Sequence, residues 1–157
     1  MFNIEIGDAL EIQDGKKTLI LHCCNDEGKW GAGFVIPLGK EFPKSEQEYR
    51  SVDPEEWEVG DVQYVDVADN VVVANLIGQH GIARDANGRS PVRYNAFKEG
   101  MDDVQEYALN NGIEVVQMPA LGCGLAGGDL LEITKIILKH LVNDKYETVM
   151  YIHPKDF

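Results

Sequence analysis

A glycine-rich stretch at residues 118–129, MPALGCGLAGGD, holds the residues of this sequence best suited to bind a ligand. It follows the apolar, β-branched run 113–117 and precedes a helical pattern from Leu130 to Val142. Four glycines within residues 122–128 leave backbone N–H groups uncovered by Cβ atoms, beside the positive end of a helix. The stretch therefore predicts an anion site, for which a phosphate or pyrophosphate is the natural occupant.

Known phosphate-binding motifs match this stretch incompletely. Gly122, Gly124 and Gly127 fit the G-x-G-x-x-G pattern, but a Rossmann domain continues with further β–α–β units, and here one strand follows the helix. A P-loop needs Lys-Ser or Lys-Thr after the glycines. A cysteine phosphatase needs arginine six residues after its cysteine, where this chain has Asp129 after Cys123. A turn whose glycines only solve packing remains the alternative.

A second glycine-containing loop, residues 25–33, follows the apolar run 18–24. Asn25 can donate and accept hydrogen bonds with ribose hydroxyls. Trp30 either covers a sugar face or packs against the helix that follows. His22, at the end of the run, titrates near neutrality and is a candidate general acid or base, with a buried, hydrogen-bonded histidine as the alternative.

Composition narrows the possible partners and compartment. The formal net charge of −13 argues against nucleic acid and anionic membranes as partners, while a small anion in a pocket is compatible because charge is screened beyond about 8 Å. No apolar run approaches the roughly 18 residues of a membrane helix, and the N-terminus does not resemble a secretory signal.

The cysteines and histidines predict neither disulfides nor a metal site. The chain has three cysteines, of which Cys23 and Cys24 are adjacent, and this suits a reducing, cytoplasmic setting better than a disulfide framework. Together with His22 and His80 they have no known metal-ligand spacing. We expect no metal and no cofactor.

The elements that must position these loops follow from hydrophobic periodicity. We predict strands over residues 2–6, 18–24, 62–67, 71–76, 113–117 and 147–152. We predict helices over residues 33–41 and 44–50, from Ser90-Pro91 to the stop at Asn110-Asn111-Gly112, and over 130–142. We expect Asp129 and Glu132 to form a capping box at the start of the last helix. About six strands with helices on both faces predict one three-layer α/β domain, residues 1–157.

Together these stretches resemble the macrodomain family, whose members bind ADP-ribose. The residues that carry the resemblance are Gly7-Asp8, Leu21-His22-Cys23-Cys24-Asn25, Trp30-Gly31-Ala32-Gly33, Phe42-Pro43-Lys44 and Met118 to Leu125. The set is similar to the subgroup of the yeast-type ADP-ribose-1″-phosphate phosphatase and the terminal ADP-ribose protein glycohydrolase. The resemblance spans nearly the whole chain and implies an α/β/α fold with a mixed, mostly parallel sheet.

The resemblance also implies roles for individual residues. Asp8 would accept the adenine amino group and Tyr151 would border the adenine. Asn25 and the turn Gly31-Ala32-Gly33 would hold the distal ribose, and the glycine stretch would wrap the pyrophosphate. The implied ligand-binding residues are Asp8, Asn25, Trp30, Gly31, Ala32, Gly33, Leu121, Gly122, Cys123, Gly124, Leu125, Ala126 and Tyr151.

The expected chemistry depends on where this chain departs from the glycohydrolase. That relative uses an aspartate directly after Gly-Cys-Gly-Leu, where this chain has Ala126, and a lysine after the fourth strand, where residues 77–80 read IGQH. Neither alanine nor glutamine can form the adduct or move the proton. Removal of ADP-ribose from glutamate by that mechanism is disfavoured.

The histidine of the phosphatase relative is retained as His22. We therefore expect hydrolysis of ADP-ribose-1″-phosphate, in which His22 moves a proton and Arg84, Arg89 or Arg93 neutralises developing charge. Two alternatives stay open: a non-catalytic reader of free or protein-linked mono-ADP-ribose, and an O-acetyl-ADP-ribose deacetylase. The expected partner is the small molecule or a mono-ADP-ribosylated protein.

Overall fold

The computed structural model describes residues 1–122 and 127–156, which form one six-stranded sheet covered by helices. The strands are β1 (Phe2–Ile6), β2 (Thr18–Asn25), β3 (Val62–Ala68), β4 (Val71–Gln79), β5 (Val115–Met118) and β6 (Glu147–Ile152). The helices are α1 (Val35–Glu41), α2 (Pro43–Ser51), α3 (Tyr94–Asn110) and α4 (Leu130–Ile136), which a π-helical turn (Ile137–Leu141) extends; Pro54–Glu56 and Pro154–Asp156 are short 3-10 turns.

The strand order is β1-β6-β5-β2-β4-β3, with every neighbouring pair parallel except β3 and β4. Leu19 and Leu21 of β2 pack into the core on the α3–α4 side, and Ile20 and Cys24 pack on the α1–α2 side. This period-two alternation with both faces buried is typical of an inner strand. The predicted three-layer fold with a mixed, mostly parallel sheet is confirmed. Among the described residues, no helix is long and apolar enough to cross a membrane.

The carboxyl ends of β1, β6, β5, β2 and β4 lie along one edge of the sheet because these strands run in the same direction. We call this the carboxyl edge; it carries the loops that follow those five strands. Ligands of open α/β sheets bind beyond such an edge. Both loops singled out from the sequence are found there.

The predicted helix start at Ser90-Pro91 is wrong, since α3 begins at Tyr94. The reason is pairing with the end of β4. Val92 forms a bridge with Gln79, and the Arg93 N–H donates to the Gly78 carbonyl at 2.8 Å. This extended segment occupies the place of a first helical turn. The predicted stop is confirmed, with Gly112 at φ +64°.

The N-terminus of α4 is capped by its own carboxylate. Asp129 Oδ1 accepts from the N–H groups of Leu131 at 2.8 Å and Glu132 at 3.4 Å. Glu132 forms an ion pair with Lys135 at 3.5 Å instead of completing a capping box. Two of the N–H groups at this helix end are therefore occupied by Asp129 itself and are not free to bind an anion.

Candidate functional site

One end of the carboxyl edge is formed by the loop after β1 packed against β6. The Gly7 N–H donates to the Ile152 carbonyl at 3.0 Å, and a Cβ at Gly7 would lie 2.9 Å from Cδ1 of Tyr151. Asp8 Oδ1 accepts from the Leu10 N–H at 2.9 Å, which fixes a tight turn. Gly7, the neighbour of Asp8, thus packs against Tyr151, so the two residues expected to recognise adenine lie at the same end of the edge.

Gln117 anchors this loop, and sequence reasoning did not identify it. Its buried Nε2 donates to the carbonyls of Ala9 at 2.7 Å and Glu11 at 2.8 Å. Burying a polar side chain is costly unless it is hydrogen-bonded, so these two bonds hold the loop against β5. The signal in the sequence was a glutamine interrupting an otherwise apolar strand.

A hydrogen bond joins residues 122 and 128 of the glycine stretch. The Gly128 N–H donates to the Gly122 carbonyl at 2.6 Å, and a Cβ at Gly128 would lie only 2.4 Å from that oxygen. Leu121 is fully buried in the core, so its side chain does not face a ligand. The predicted binding residues Cys123, Gly124, Leu125 and Ala126 lie outside the described residues.

The loop after β2 is organised by Asn25. Its Oδ1 accepts from the N–H groups of Glu27 at 3.0 Å and Lys29 at 3.1 Å, while its Nδ2 donates to the Lys29 carbonyl at 2.8 Å. Asn25 therefore shapes the loop, and a direct bond to ribose stays a prediction. Residues 31–33 are exposed, and Gly33 has φ +85°. Their backbone is open to a ligand.

Trp30 belongs to the core between the sheet and α1. Its ring centroid lies 5.5 Å from that of Tyr49 and 5.4 Å, edge-on, from that of His22. The side chain is buried. Of the two alternatives for Trp30, the structure shows packing and not an exposed face for a sugar.

His22 is also interior, with only 1% of its surface exposed. Its Nε2 is hydrogen-bonded to Asn75 Oδ1. The Asn75 amide donates to the Ser45 carbonyl at 3.2 Å and to Gln63 Oε1 at 3.0 Å, so its oxygen faces the ring and Nε2 carries the hydrogen. Burial lowers the pKa of His22 to about 4, although the bond to Asn75 opposes this shift. The structure places His22 in the environment of the buried alternative, away from the surface of the site.

A second histidine, His80, stands at the surface of the carboxyl edge directly after β4. Its Nδ1 lies 2.7 Å from Oδ2 of Asp26, and Asp26 Oδ1 accepts from the Gly81 N–H at 2.8 Å. The histidine side chain is 72% exposed, whereas that of Asp26 is 15% exposed. Sequence reasoning left the role of His80 open and missed this pair. Its signal was polar residues placed just after two neighbouring parallel strands.

The basic loop after His80 brings Arg84 to the glycine stretch. Asp85 Oδ1 holds the loop by accepting from the N–H groups of Asn87 and Arg89, each at 2.9 Å, and the Arg89 bond lowers the pKa of Asp85. Arg84 Nη1 donates to the Gly88 carbonyl at 2.9 Å, and its Nη2 lies 2.6 Å from the position of a Cβ at Gly127. A cation thus borders the predicted anion site.

Arg93 is directed elsewhere. Its Nη1 donates to the carbonyls of Ser90 at 2.6 Å and Val92 at 3.2 Å, so the guanidinium supports the segment before α3. Of the arginines proposed to neutralise charge, Arg84 is the one that the structure places against Gly127.

Solved structures share this fold over nearly the whole chain. A protein of unknown function from Bacteroides thetaiotaomicron has a TM-score of 0.90 and 37% identity, covering 97% of this chain and 98% of its own. A macrodomain protein from Streptomyces coelicolor has a TM-score of 0.81 and 32% identity, covering 96% of this chain and 98% of its own. Thermosipho africanus DarTG in complex with ADP-ribose shares the fold with a TM-score of 0.72, at 17% identity and covering 89% of this chain and 39% of its own.

Curated relatives match over smaller parts of their length. The chain is 28% identical to the chromodomain-helicase-DNA-binding protein 1-like of Danio rerio over 94% of this chain and 15% of that protein. It is 47% identical to the ADP-ribose 1″-phosphate phosphatase of Candida albicans over 38 residues, which are 24% of each protein. The chain thus spans a minor fraction of both relatives. No protein-family model matches it.

Proposed function

Because this chain belongs to the macrodomain family, we propose that it binds ADP-ribose along the carboxyl edge of its sheet. The observation that carries the proposal is the order of the loops on that edge. Asp8 and Tyr151 stand at the β1–β6 end, the glycine stretch follows β5, and the open backbone of residues 31–33 follows β2. Adenine, pyrophosphate and distal ribose have the same order in the ligand. The ADP-ribose complex of a protein with this fold supports the assignment.

The local charge suits this ligand even though the whole chain is acidic. The formal net charge is −13, but Arg84 lies against Gly127 beside the proposed pyrophosphate position. Charges on the far surface are screened over about 8 Å, while a neighbouring guanidinium acts at hydrogen-bond range. A compact dianionic ligand is therefore compatible with the fold, and long ADP-ribose polymers are expected to bind weakly.

The reaction that we propose is hydrolysis of a distal-ribose ester, with ADP-ribose-1″-phosphate as the preferred substrate. Local identity to an ADP-ribose 1″-phosphate phosphatase supports it. So does Ala126, which removes the carboxylate that the glycohydrolase resemblance would require. Water adds to phosphorus, the bond from phosphorus to the 1″-oxygen breaks, and ADP-ribose and phosphate are released.

Titration calorimetry with ADP-ribose and phosphate release from ADP-ribose-1″-phosphate test the two parts separately. We expect binding of ADP-ribose that Asp8→Ala weakens about tenfold or more, because the adenine amino group loses its charged acceptor. Asp69→Ala, which removes an exposed carboxylate from the turn between β3 and β4 at the opposite edge of the sheet, serves as the matched control and should bind normally. Equal affinity of Asp8→Ala and the unaltered protein would contradict the assigned orientation.

A non-catalytic reader of mono-ADP-ribose is the second candidate. The burial of His22 favours it, because the histidine that the phosphatase resemblance implicates does not reach the surface of the site. A reader would bind ADP-ribose without releasing phosphate from the 1″-phosphate or acetate from O-acetyl-ADP-ribose. Turnover of the acetyl ester alone would identify a deacetylase.

A further inference from the structure

The pair His80 and Asp26 has the geometry of a proton-transfer unit at the distal-ribose end of the site. We propose that His80, oriented by Asp26, is the catalytic base of the hydrolytic reaction. The inference rests on the proposed function and names the residue that would take over the role expected of His22.

The first step concerns the proton on the ring. An ionised carboxylate can only accept hydrogen bonds, so the 2.7 Å contact with Asp26 Oδ2 places the hydrogen of the neutral ring on Nδ1. Nε2 is then left as the acceptor. The tautomer needed to take a proton from water is therefore the one that the carboxylate selects.

The second step concerns how firmly the pair is held. Asp26 binds the ring with one oxygen and the Gly81 N–H with the other, at 2.8 Å. The His80 N–H donates to the Pro91 carbonyl at 2.8 Å, and the Asp26 N–H donates to the Gln79 carbonyl at 3.2 Å. The backbone is thus tethered on both sides of the ring, which is the preorganisation that a base requires.

The third step concerns location. Asp26 directly follows Asn25, whose loop leads into the open backbone of residues 31–33 proposed for the distal ribose. In the same basic loop as His80, Arg84 reaches Gly127. His80 follows β4, the strand beside β2, so it lies next to the loop after β2 at the end of the edge where the 1″-substituent is expected.

The remote pair His140 and Asp102 shows what distinguishes the site. His140 Nδ1 lies 2.8 Å from Asp102 Oδ1, but here the histidine is 18% and the carboxylate 62% exposed. At the carboxyl edge these exposures are reversed, at 72% and 15%. His140 is also roughly 16 Å along its helix from Asp129, at about 1.5 Å per residue. It provides a matched control.

The chemical step balances without any further reactant. Nε2 of His80 takes one proton from water as the water oxygen bonds to phosphorus, and the charged ring is stabilised by Asp26. The bond between phosphorus and the 1″-oxygen breaks, and the proton passes from the imidazolium to that oxygen. The products are ADP-ribose and inorganic phosphate.

The test compares His80→Ala, Asp26→Asn and His140→Ala with the unaltered protein on ADP-ribose-1″-phosphate. We expect His80→Ala to lower kcat about 100- to 10,000-fold, the usual range for a general base, with the Kd for ADP-ribose changed less than about threefold. Added imidazole should restore part of the His80→Ala rate, since the ring stands in solvent. His140→Ala should keep full activity, with no response to imidazole.

Asp26→Asn separates the base from its orienting partner. Asparagine can still accept from the Gly81 N–H, but its amide favours the tautomer with hydrogen on Nε2, and kcat should fall about tenfold or more with KM little changed. Imidazole should not rescue this variant, because the His80 ring still fills its place.

The outcomes distinguish the two levels of proposal. Turnover that His80→Ala leaves unchanged overturns this inference alone. A fall in activity that follows an equal loss of ADP-ribose binding, without imidazole rescue, also overturns it, since His80 would then only shape the site. Binding of ADP-ribose with no turnover overturns the hydrolase proposal and this inference together, and absence of ADP-ribose binding overturns the proposed function itself.

Discussion

His22 and His80 belong to neighbouring parts of the sheet, yet their surroundings are opposite. His22 lies within β2, 1% exposed, with the neutral amide of Asn75 as its partner. His80 follows β4, 72% exposed at its side chain, with the carboxylate of Asp26 as its partner. An amide cannot compensate the charge of an imidazolium, whereas a carboxylate can. The hydrogen-bond partner and the solvent exposure of each histidine, and not its position near the end of a strand, decide which of the two can exchange protons.

The comparison assigns the two residues to different tasks. Burial lowers the pKa of His22 to about 4, so the ring is neutral near pH 7 and acts as a packed hydrogen-bond donor between β2 and β4. His80 contributes little packing. We therefore expect changes at His22 to appear in stability and changes at His80 to appear in rate.

The largest effect on stability is expected for His22→Ala. The change removes a buried ring against Trp30 and leaves Asn75 Oδ1 without its donor, at a combined cost of about 3–4 kcal/mol in the free energy of unfolding. Urea unfolding followed by tryptophan fluorescence measures it. The folded fraction should keep its kcat, and a kcat loss as large as that of His80→Ala would break the comparison.

The pH dependence of stability tests His22 in the unaltered protein, where no substitution creates a cavity. The pKa of His22 is lower in the folded protein, about 4, than its ordinary value of 6.5. The unfolded chain therefore binds the proton first as the pH falls. The contribution of His22 to the free energy of unfolding is therefore complete above pH 6.5. It decreases by about 3 kcal/mol as the pH falls to 4 and does not change further below that pH.

His22→Gln provides the reference for that measurement, because glutamine can still donate to Asn75 but does not titrate. Between pH 7 and pH 4.5, the free energy of unfolding should decrease more in the unaltered protein than in His22→Gln. Parallel pH profiles for the two proteins would show that His22 is not the buried, neutral group described above.

A smaller effect on stability is expected for a change at Gln63, which contacts Asn75 and not the His22 ring. Gln63 Oε1 accepts from Asn75 Nδ2 at 3.0 Å and so helps to orient the amide toward His22. Gln63→Leu should cost about 1 kcal/mol, since the Ser45 carbonyl still accepts from the same nitrogen. Chemical denaturation measures it, with the exposed Asp69→Ala on the β3–β4 turn as the control. A loss as large as that of His22→Ala would mean that the amide orientation depends on Gln63 alone.

The smallest effect is expected at the exposed pair. Surface ion pairs contribute little, so His80→Ala should change the unfolding free energy by less than about 0.5 kcal/mol. Thermal unfolding monitored by circular dichroism is sufficient. A clear drop in the transition temperature would move His80 toward a structural role and weaken the contrast with His22.

The six strands were predictable from the sequence because strand signals are local, although the predicted bounds of β4 and β5 differ from Val71–Gln79 and Val115–Met118. Glu147–Ile152 and Phe2–Ile6 were predicted with their observed bounds, and the buried run of β2 was recognised from its composition. The start of α3 was not predictable in this way. The bridge between Val92 and Gln79 is a tertiary contact that overrides the cap signal of Ser90-Pro91.

For the site, residue types were visible but their neighbours were not. Asp8 and Tyr151 are separated by most of the chain, and only the resemblance to a known family suggested that they meet. His80 and Asp26 lie 54 positions apart, and their contact depends on the register of β2 against β4, which places Asn25 opposite Gln79. The same register buries His22 beside Asn75. Exposure of a histidine at a strand end is therefore a property of packing.

The bond from the Gly128 N–H to the Gly122 carbonyl makes the intervening residues an exchangeable cassette. Because residues 122 and 128 are joined directly by this bond, we expect a different sequence between them to leave β5 and α4 in place. The glycine at 128 must be kept, since any side chain would collide with the Gly122 oxygen. Gly127 must be kept as well, because its φ is +75° and a Cβ there would lie 2.6 Å from Nη2 of Arg84. Libraries confined to residues 123–126 are thus a direct route to altered ligand preference on an unchanged scaffold.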